Sequence, residues 1–416
     1  MPVQVDASYY AGNLVVRILP TRVVGGTREP YHIALLLDTS GSMEGPPLAA
    51  VVRTLHLLID RMEERDMLTI IQYASTASVV VDCANMNPRA RTDIHRIIDR
   101  LTAEGGTNME AAIDQLDNVS NSQIDAVFLM TDGHVNTGIT SSAGLLRLLS
   151  ARLPNGTPVN TLGFGTSHNA QMLRDMAVKS RGSYTYADAA ELIPAIIGDI
   201  VGGLIDQVGS NAYLIAQAGC HCLELGVDSS RPELYRVGSL ITDKPQWAVF
   251  RGQGPVQLTW DEGGFKHQYV ATPSVAALDM MEMEEQLQRV QLVHTMTTVS
   301  EMIVRRDYAS AIAELTRAEH RLALSPAVGR SFILRLQAQV DEMLDDVHRQ
   351  SEPAVDEDVE MLTRMVSNVT ALGTQHGFFL SRNTTARDQD VISSPFSTSR
   401  QREATVNITQ SFQEHE

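Results

Sequence analysis

The chain is short of cysteine. Cys83, Cys220 and Cys222 are the three present, and an odd, small number excludes a disulfide framework and points to a reducing compartment. No apolar run approaches the ~18 residues of a membrane-spanning helix. The opening stretch Met-Pro-Val-Gln-Val-Asp-Ala-Ser has neither the basic start nor the apolar core of a secretory signal. A cytoplasmic location without a membrane span is therefore the expectation. Positive charge is in deficit: the formal net charge is −17, which disfavours nucleic acid or anionic membrane as a direct partner. There is no G-x-x-x-x-G-K run, so no phosphate-binding loop of that kind is expected. Cys220-His221-Cys222 is too tightly spaced for half a zinc site and has no second Cys/His pair to complete it; alternation along a strand accounts for it. What the chain does have is apolar residues, 43% of 416, enough for a sizeable core spread over about two to four domains.

The chemistry is concentrated at 33–42, Ile-Ala-Leu-Leu-Leu-Asp-Thr-Ser-Gly-Ser. The apolar run has the length of a strand buried on both faces, as in a parallel sheet. It stops at Asp38, and oxygen-bearing side chains follow at alternate positions: Asp38, Ser40, Ser42. Open α/β sheets bind ligands at the carboxyl ends of their strands. A carboxylate with two hydroxyls is a hard-oxygen set suited to magnesium, which takes few carboxylates and retains water. Two later stretches add to it. Gly105-Gly106-Thr107-Asn108 supplies a hydroxyl just before a predicted helix, and Met130-Thr131-Asp132-Gly133 supplies a second carboxylate after the apolar run 126–130.

These three pieces resemble the metal-ion-dependent adhesion site of von Willebrand factor A (vWA) domains. The resemblance covers Asp38, Ser40, Ser42, Thr107 and Asp132, with 69 residues from Asp38 to Thr107 and 25 from Thr107 to Asp132. It implies that these five are metal ligands, that Mg2+ is the ion, with Mn2+ or Ca2+ as substitutes, and that an Asp or Glu of a partner protein completes the coordination. In that family, the balance between direct and water-mediated binding by the two aspartates goes with low- and high-affinity forms. Movement of the domain's last helix, here 188–204, is one way to couple them.

The rest of the chain fits an α/β class: a Rossmann-like doubly wound sheet, inserted in or flanked by a β-sandwich and followed by a helical bundle. Residues 1–29 hold one strand candidate, 14–19. Residues 30–204 form the A domain, with strands at 32–37, 67–73, 77–82, 124–130, 158–164 and 183–187. Its first helix carries a stripe of Leu48, Val52, Leu55, Ile59 and Met62; further helices fall at 89–101, 108–120, 141–153, 168–180 and 188–204. The three-residue gap Ala74-Ser75-Thr76 is too short for a parallel crossover and makes a hairpin with an antiparallel edge. Residues 205–276 show short alternating runs at 212–218, 222–227, 234–240, 247–250 and 256–260, as in a sandwich. The strand at 14–19 is expected to complete that sandwich, which makes the A domain an insertion. Residues 277–373 read as four helices, and 374–416 as an extended or disordered tail. The region after the A domain is similar to the accessory module of plant RING-type ubiquitin ligases and of some protist and viral proteins. That similarity rests on Gly163-Phe164-Gly165, Gly182-Ser183-Tyr184, Gly202-Gly203-Leu204 and 235–240. Three cysteines cannot supply a RING's eight ligands, so ligase activity is not implied.

Enzyme readings fail on chemistry. A phosphatase using Asp38 as nucleophile needs a carboxylate two residues on, where Ser40 stands. A serine nucleophile needs a strained G-x-S-x-G elbow, which Thr-Ser-Gly-Ser-Met does not offer. His134 is a loop residue, and 132–138 places its glycine one position late for a calcium loop. The expectation is a non-enzymatic adaptor or scaffold that binds a protein through the ion. The alternative is a structural subunit in which the metal site or the acidic tail, Glu414 to Glu416, makes an intersubunit contact.

Overall fold

The computed structural model describes residues 3–21, 30–120, 124–153, 157–164, 168–180, 182–187, 207–224, 231–262, 265–274 and 277–350, with parts of 361–372. The chain divides into two units, one of residues 1–26 and 206–376, the other centred on 27–205.

The 27–205 unit is built on a six-stranded sheet. Its strands are β3 (His32–Asp38), β4 (Met67–Tyr73), β5 (Ala77–Asn85), β6 (Ala126–Thr131), β7 (Val159–Phe164) and β8 (Tyr184–Ala187). The spatial order is β5-β4-β3-β6-β7-β8. All neighbours are parallel except β4 and β5, whose short link permits only a hairpin. Strands β3, β6 and β7 are buried at every position, as strands covered on both faces must be. Order reverses between β3 and β6, the two strands that end at Asp38 and just before Asp132.

The connecting helices are α1 (Pro46–Arg61), α2 (Pro88–Ile98), α3 (Met109–Asp114), α4 (Ser142–Arg152) and α5 (Ala170–Ser180). Pro46 and Pro47 open α1, and Asn87 and Pro88 open α2, where Asn87 accepts from the Ala90 amide. The buried stripe of α1 is Leu48, Val51, Leu55, Leu58 and Ile59, with Val52 only half-buried; the stripe is turned from the one expected. Arg91 of α2 reaches back to cap the α1 carboxyl end, donating to the Ile59 and Met62 carbonyls. Two predicted helices are shorter than expected. The first ends at Ile98, and the second stops at Asp114 and tightens into a 3-10 turn over Gln115–Asn118. The expected helix at 188–204 lies outside the described residues, as does the tail.

Among its described residues the other unit holds two four-stranded antiparallel sheets and three fully described helices. The strands are β1 (Val3–Tyr10), β2 (Asn13–Pro20), β9 (Gln207–Ala216), β10 (His221–Cys222), β11 (Leu234–Ile241), β12 (Gln246–Arg251), β13 (Val256–Glu262) and β14 (Phe265–Ala271). One sheet runs β1-β2-β12-β10 and the other β11-β9-β13-β14. β2 pairs with β12 along its length, from Gln246↔Ile18 to Arg251↔Asn13. Chain from either side of residues 27–205 therefore shares one sheet.

The N-terminal segment contributes two strands rather than the single one expected. β1 folds onto β2 through Ala11-Gly12, both at positive φ (47° and 76°). A two-residue turn of this kind usually carries Asn-Gly or Asp-Gly, and alanine in its place hid the hairpin. β14 was also not anticipated, because this edge strand is largely exposed and lacks an apolar face. Of the run expected at 222–227, Cys222 pairs with Phe250 and Leu223 N donates to Val249 O at 2.8 Å, while 225–227 lie outside the described residues.

Three helices follow: α6 (Met280–Val304), α7 (Tyr308–Ala323) and α8 (Ser331–Gln350). The fourth expected helix is described only in part. Alternation along β2 and β12 explains how α6 attaches. Leu14, Val16, Ile18, Ala248 and Phe250 point into the sandwich core. Their neighbours Val15, Trp247 and Val249 point the other way, against Leu278, Met283, Leu287 and Val290.

Where α6 is covered, it carries Arg289, which is fully buried. Its guanidinium grips Glu224 with two bonds of 2.9 and 2.7 Å and also donates to Gln286 Oε1 and the Leu372 carbonyl. Arg289→Ala strands a buried carboxylate. It should cost about 3–5 kcal/mol, read as a fall in the urea midpoint of this unit.

Candidate metal centre

Asp38 closes β3 and is 1% exposed. Both its oxygens are engaged: Oδ1 accepts from the Ser40 amide at 2.9 Å and Oδ2 from the Thr131 hydroxyl at 2.6 Å. Thr131, the last residue of β6, thus orients Asp38, and the next residue is Asp132. Ser42 lies in a short 3-10 turn over Gly41–Met43. Its hydroxyl donates to Asp132 Oδ1 at 2.7 Å and sits 3.2 Å from Ser40 Oγ.

Thr107 precedes the N-cap Asn108 of α3 and is buried. A Cβ built on Gly133 would lie 3.4 Å from both Ser42 Oγ and Thr107 Oγ1, so these hydroxyls flank the same backbone point. All five residues predicted for the site are thus drawn to one end of the sheet, at the switch between β3 and β6. His134 is exposed and shows no bond into the cluster.

The loops are fastened to one another by main-chain bonds. Gly41 N donates to Gly105 O at 3.0 Å and Glu104 N to Thr39 O at 2.8 Å. Asn136 clamps Thr107 from the loop after β6: its Oδ1 accepts from the Thr107 amide at 2.9 Å and its own amide donates to Thr107 O at 3.1 Å. Ser75, in the β4–β5 turn, accepts from Gly106 N and from Asn108 Nδ2. Sequence reasoning passed over Thr131, Asn136 and Ser75. Only their adjacency to the five donors marks them, and the first two are one residue before and four after Asp132.

The electrostatics suit a cation. Burial pushes the Asp38 carboxyl above its usual range. Hydrogen bonds from Thr131 and Ser40 pull it back in part, and the charge on Asp132 adds to the rise. Burial raises Asp132 too, against the bond from Ser42, and it raises the Tyr73 phenol, with help from Asp38. Two carboxylates held together against their own ionisation, with three neutral hydroxyls beside them, fit a hard divalent ion such as Mg2+. Asp38, Ser40, Ser42, Thr107 and Asp132 would hold it, and it would supply a Lewis-acidic point for an incoming carboxylate. Among the described residues no three of His, Cys, Asp and Glu form a chelating group.

A doubly wound sheet with one antiparallel edge, and oxygen donors at its switch point, defines a class of domain. Residues 31–186 match the family model of the von Willebrand factor type A domain, and the chain carries such a domain there. Domains of this class commonly serve as protein-interaction modules with a metal site. The uncharacterized protein sll0103 of Synechocystis sp. is 29% identical over 266 residues, 56% of this chain and 62% of that protein; the chain thus spans less than two thirds of this relative. Two solved structures share the fold well beyond the A domain. A von Willebrand factor type A protein from Catenulispora acidiphila (15% identity, TM-score 0.62) covers 89% of this chain and 96% of its own. The ArnB paralog VWA2 from Sulfolobus acidocaldarius (15% identity, TM-score 0.56) covers 90% and 99%.

The raised carboxyls have a consequence for stability. A carboxyl with a folded-state pKa above its unfolded value stabilises the fold below the unfolded pKa, and that contribution is lost as pH rises through the folded one. Without divalent ion the domain should therefore melt lower at neutral than at mildly acidic pH. Asp38→Asn should melt higher than wild type at neutral pH in EDTA, and it should lose most of the upward shift that Mg2+ gives wild type. Thr131→Val, which removes a bond orienting Asp38, should weaken Mg2+ by about 10- to 100-fold in calorimetric titration.

Proposed function

We propose that the protein is a non-enzymatic, metal-dependent protein-binding module. It grips an Asp or Glu of a partner through a Mg2+ ion held by Asp38, Ser40, Ser42, Thr107 and Asp132. The observation that carries this reading is the convergence of two carboxylates and three hydroxyls at the loop end of the A-domain sheet. Ser42 is exposed there and Asp132 is partly so. Two carboxylates roughly neutralise the ion, and the hydroxyls add no charge, so the ion keeps enough electrophilicity to prefer an incoming carboxylate to water.

An intracellular setting belongs to the same reading. Among the described residues Cys83, Cys220 and Cys222 form no disulfide, which supports a reducing compartment. Among the described residues no helix is long and apolar enough to cross a membrane. The second unit then acts as a platform for the A domain or as a second contact surface, in an adaptor or in a fixed subunit of an assembly.

The test is a pull-down from native lysate with the full chain. A partner should be retained with Mg2+, and lost both in EDTA and with Asp38→Ala in Mg2+. The same proteins captured in all three conditions would overturn the metal-mediated grip. Gel filtration with and without Mg2+ separates the two roles: a metal-dependent shift of the chain on its own identifies an assembly subunit, and its absence an adaptor.

A further inference from the structure

Helices α1 and α2 carry the same short pattern. His56 and Asp60 stand four residues apart on α1, and His95 and Asp99 four apart at the end of α2. One turn of helix puts each pair on one face. The pairs then cross. His56 Nε2 lies 2.9 Å from Asp99 Oδ1, and His95 Nε2 lies 3.1 Å from Asp60 Oδ1. The remaining ring nitrogens face each other, with His56 Nδ1 2.5 Å from His95 Nδ1. The ring centroids are 4.7 Å apart and the planes differ by 22°. That centroid distance is what two nearly coplanar imidazoles give when nitrogen points at nitrogen across such a gap, so the rings meet edge to edge rather than face over face.

This arrangement has a chemical consequence. A carboxylate only accepts, so each Nε2 bears the proton that it donates to Asp99 or Asp60. A neutral imidazole has one N–H, which leaves a lone pair on each Nδ1. With both rings neutral, two lone pairs aimed at each other repel unless a proton or a metal ion lies between them. Outer carboxylates that fix the tautomer and strengthen the opposite nitrogen as a donor are the usual support of metal-bound histidine. Imidazole nitrogens select zinc, nickel, cobalt or copper rather than magnesium.

We propose that His56 and His95, backed by Asp99 and Asp60, bind a divalent transition-metal ion of the zinc type, at a site distinct from the five-oxygen cluster. Zinc–nitrogen bonds of about 2.0–2.1 Å at a tetrahedral angle need the nitrogens about 3.3 Å apart, so the rings must separate by under ~1 Å. They have room to do so, since the histidine side chains are 27% and 26% exposed and the aspartates 62% and 60%. Arg91 holds the two helices together beside the pair through the α1 carbonyls. The chain supplies two nitrogens, and water or a donor from another molecule completes the shell.

The test uses the untagged full chain, stripped with EDTA and returned to excess Mg2+ so that the oxygen cluster does not compete for zinc. Zinc is then titrated against a chromophoric chelator. Wild type and Asp38→Ala should each bind one equivalent. His56→Gln and His95→Gln should lose it, and Asp60→Asn and Asp99→Asn should weaken it by about 10- to 100-fold. X-ray absorption of the loaded protein should show two imidazole nitrogens. Circular dichroism checks each variant's fold, and the partly exposed aspartate variants carry the test should a histidine variant unfold. Absence of zinc binding in wild type, meaning that the pair shares a proton instead, overturns the proposal. Equal binding in every variant also overturns it.

Discussion

A carboxylate at the end of a fully buried strand is the constraint around which the A domain is arranged. β3 lies between β4 and β6 with both faces covered, so Asp38 leaves the core with almost no access to water. Burying an ionised carboxylate is costly unless it is hydrogen-bonded or paired. The protein pairs it only in part. Thr131 and Ser40 supply one bond each, no basic side chain among the described residues is bonded to it, and Asp132 adds like charge. The result is a site whose two carboxyls are both held above their ordinary pKa by burial.

Holding that cluster open requires rigid loops, and the rigidity is main-chain in origin. The segment after β3, the Gly-Gly-Thr segment before α3 and the loop after β6 exchange backbone bonds, with Asn136 and Ser75 closing the remaining amides. Backbone bonds position the hydroxyls without consuming them. Ser40, Ser42 and Thr107 therefore keep hydroxyl oxygens that these backbone bonds do not use, while Asp38 and Asp132 are steered by light contacts from Thr131 and Ser42. In the other unit a similar economy operates at larger scale. One sheet uses both faces, with alternate residues of β2 and β12 filling the sandwich and docking α6. From Met283 to Val290 α6 is buried on every face, and Arg289 there is neutralised by a bidentate carboxylate instead of by water.

Much of the A domain was legible because its signals are local. An apolar run ending in Asp-x-Ser-x-Ser, a hydroxyl before a helix and a carboxylate after another apolar run can each be read within a few residues. The hairpin of β4 and β5 follows from a three-residue gap. The parts that escaped depend on contacts distant in sequence or on turns with unfavoured residues. β1 was hidden by Ala-Gly at its turn and by polar residues at every other position. β14 was hidden because an exposed edge strand needs no apolar face. Asn136 and Thr131 look like ordinary loop and strand residues until the fold brings Thr107 and Asp38 beside them.

By itself the sequence determined the side-chain chemistry of the cluster: two carboxylates and three hydroxyls, with no basic residue among them, each at the end of a segment whose periodicity sets its type. Side-chain identity and periodicity are properties of a few neighbouring residues, so no fold is needed to read them. Only the tertiary structure decided that these segments end at one point, that β2 belongs with β12 although most of the chain to β12 separates them, and that His56 and His95 meet nitrogen to nitrogen. Those are pairings across tens to hundreds of residues. They are set by which buried faces can cover one another, and burial is a property of the assembled chain rather than of any stretch within it.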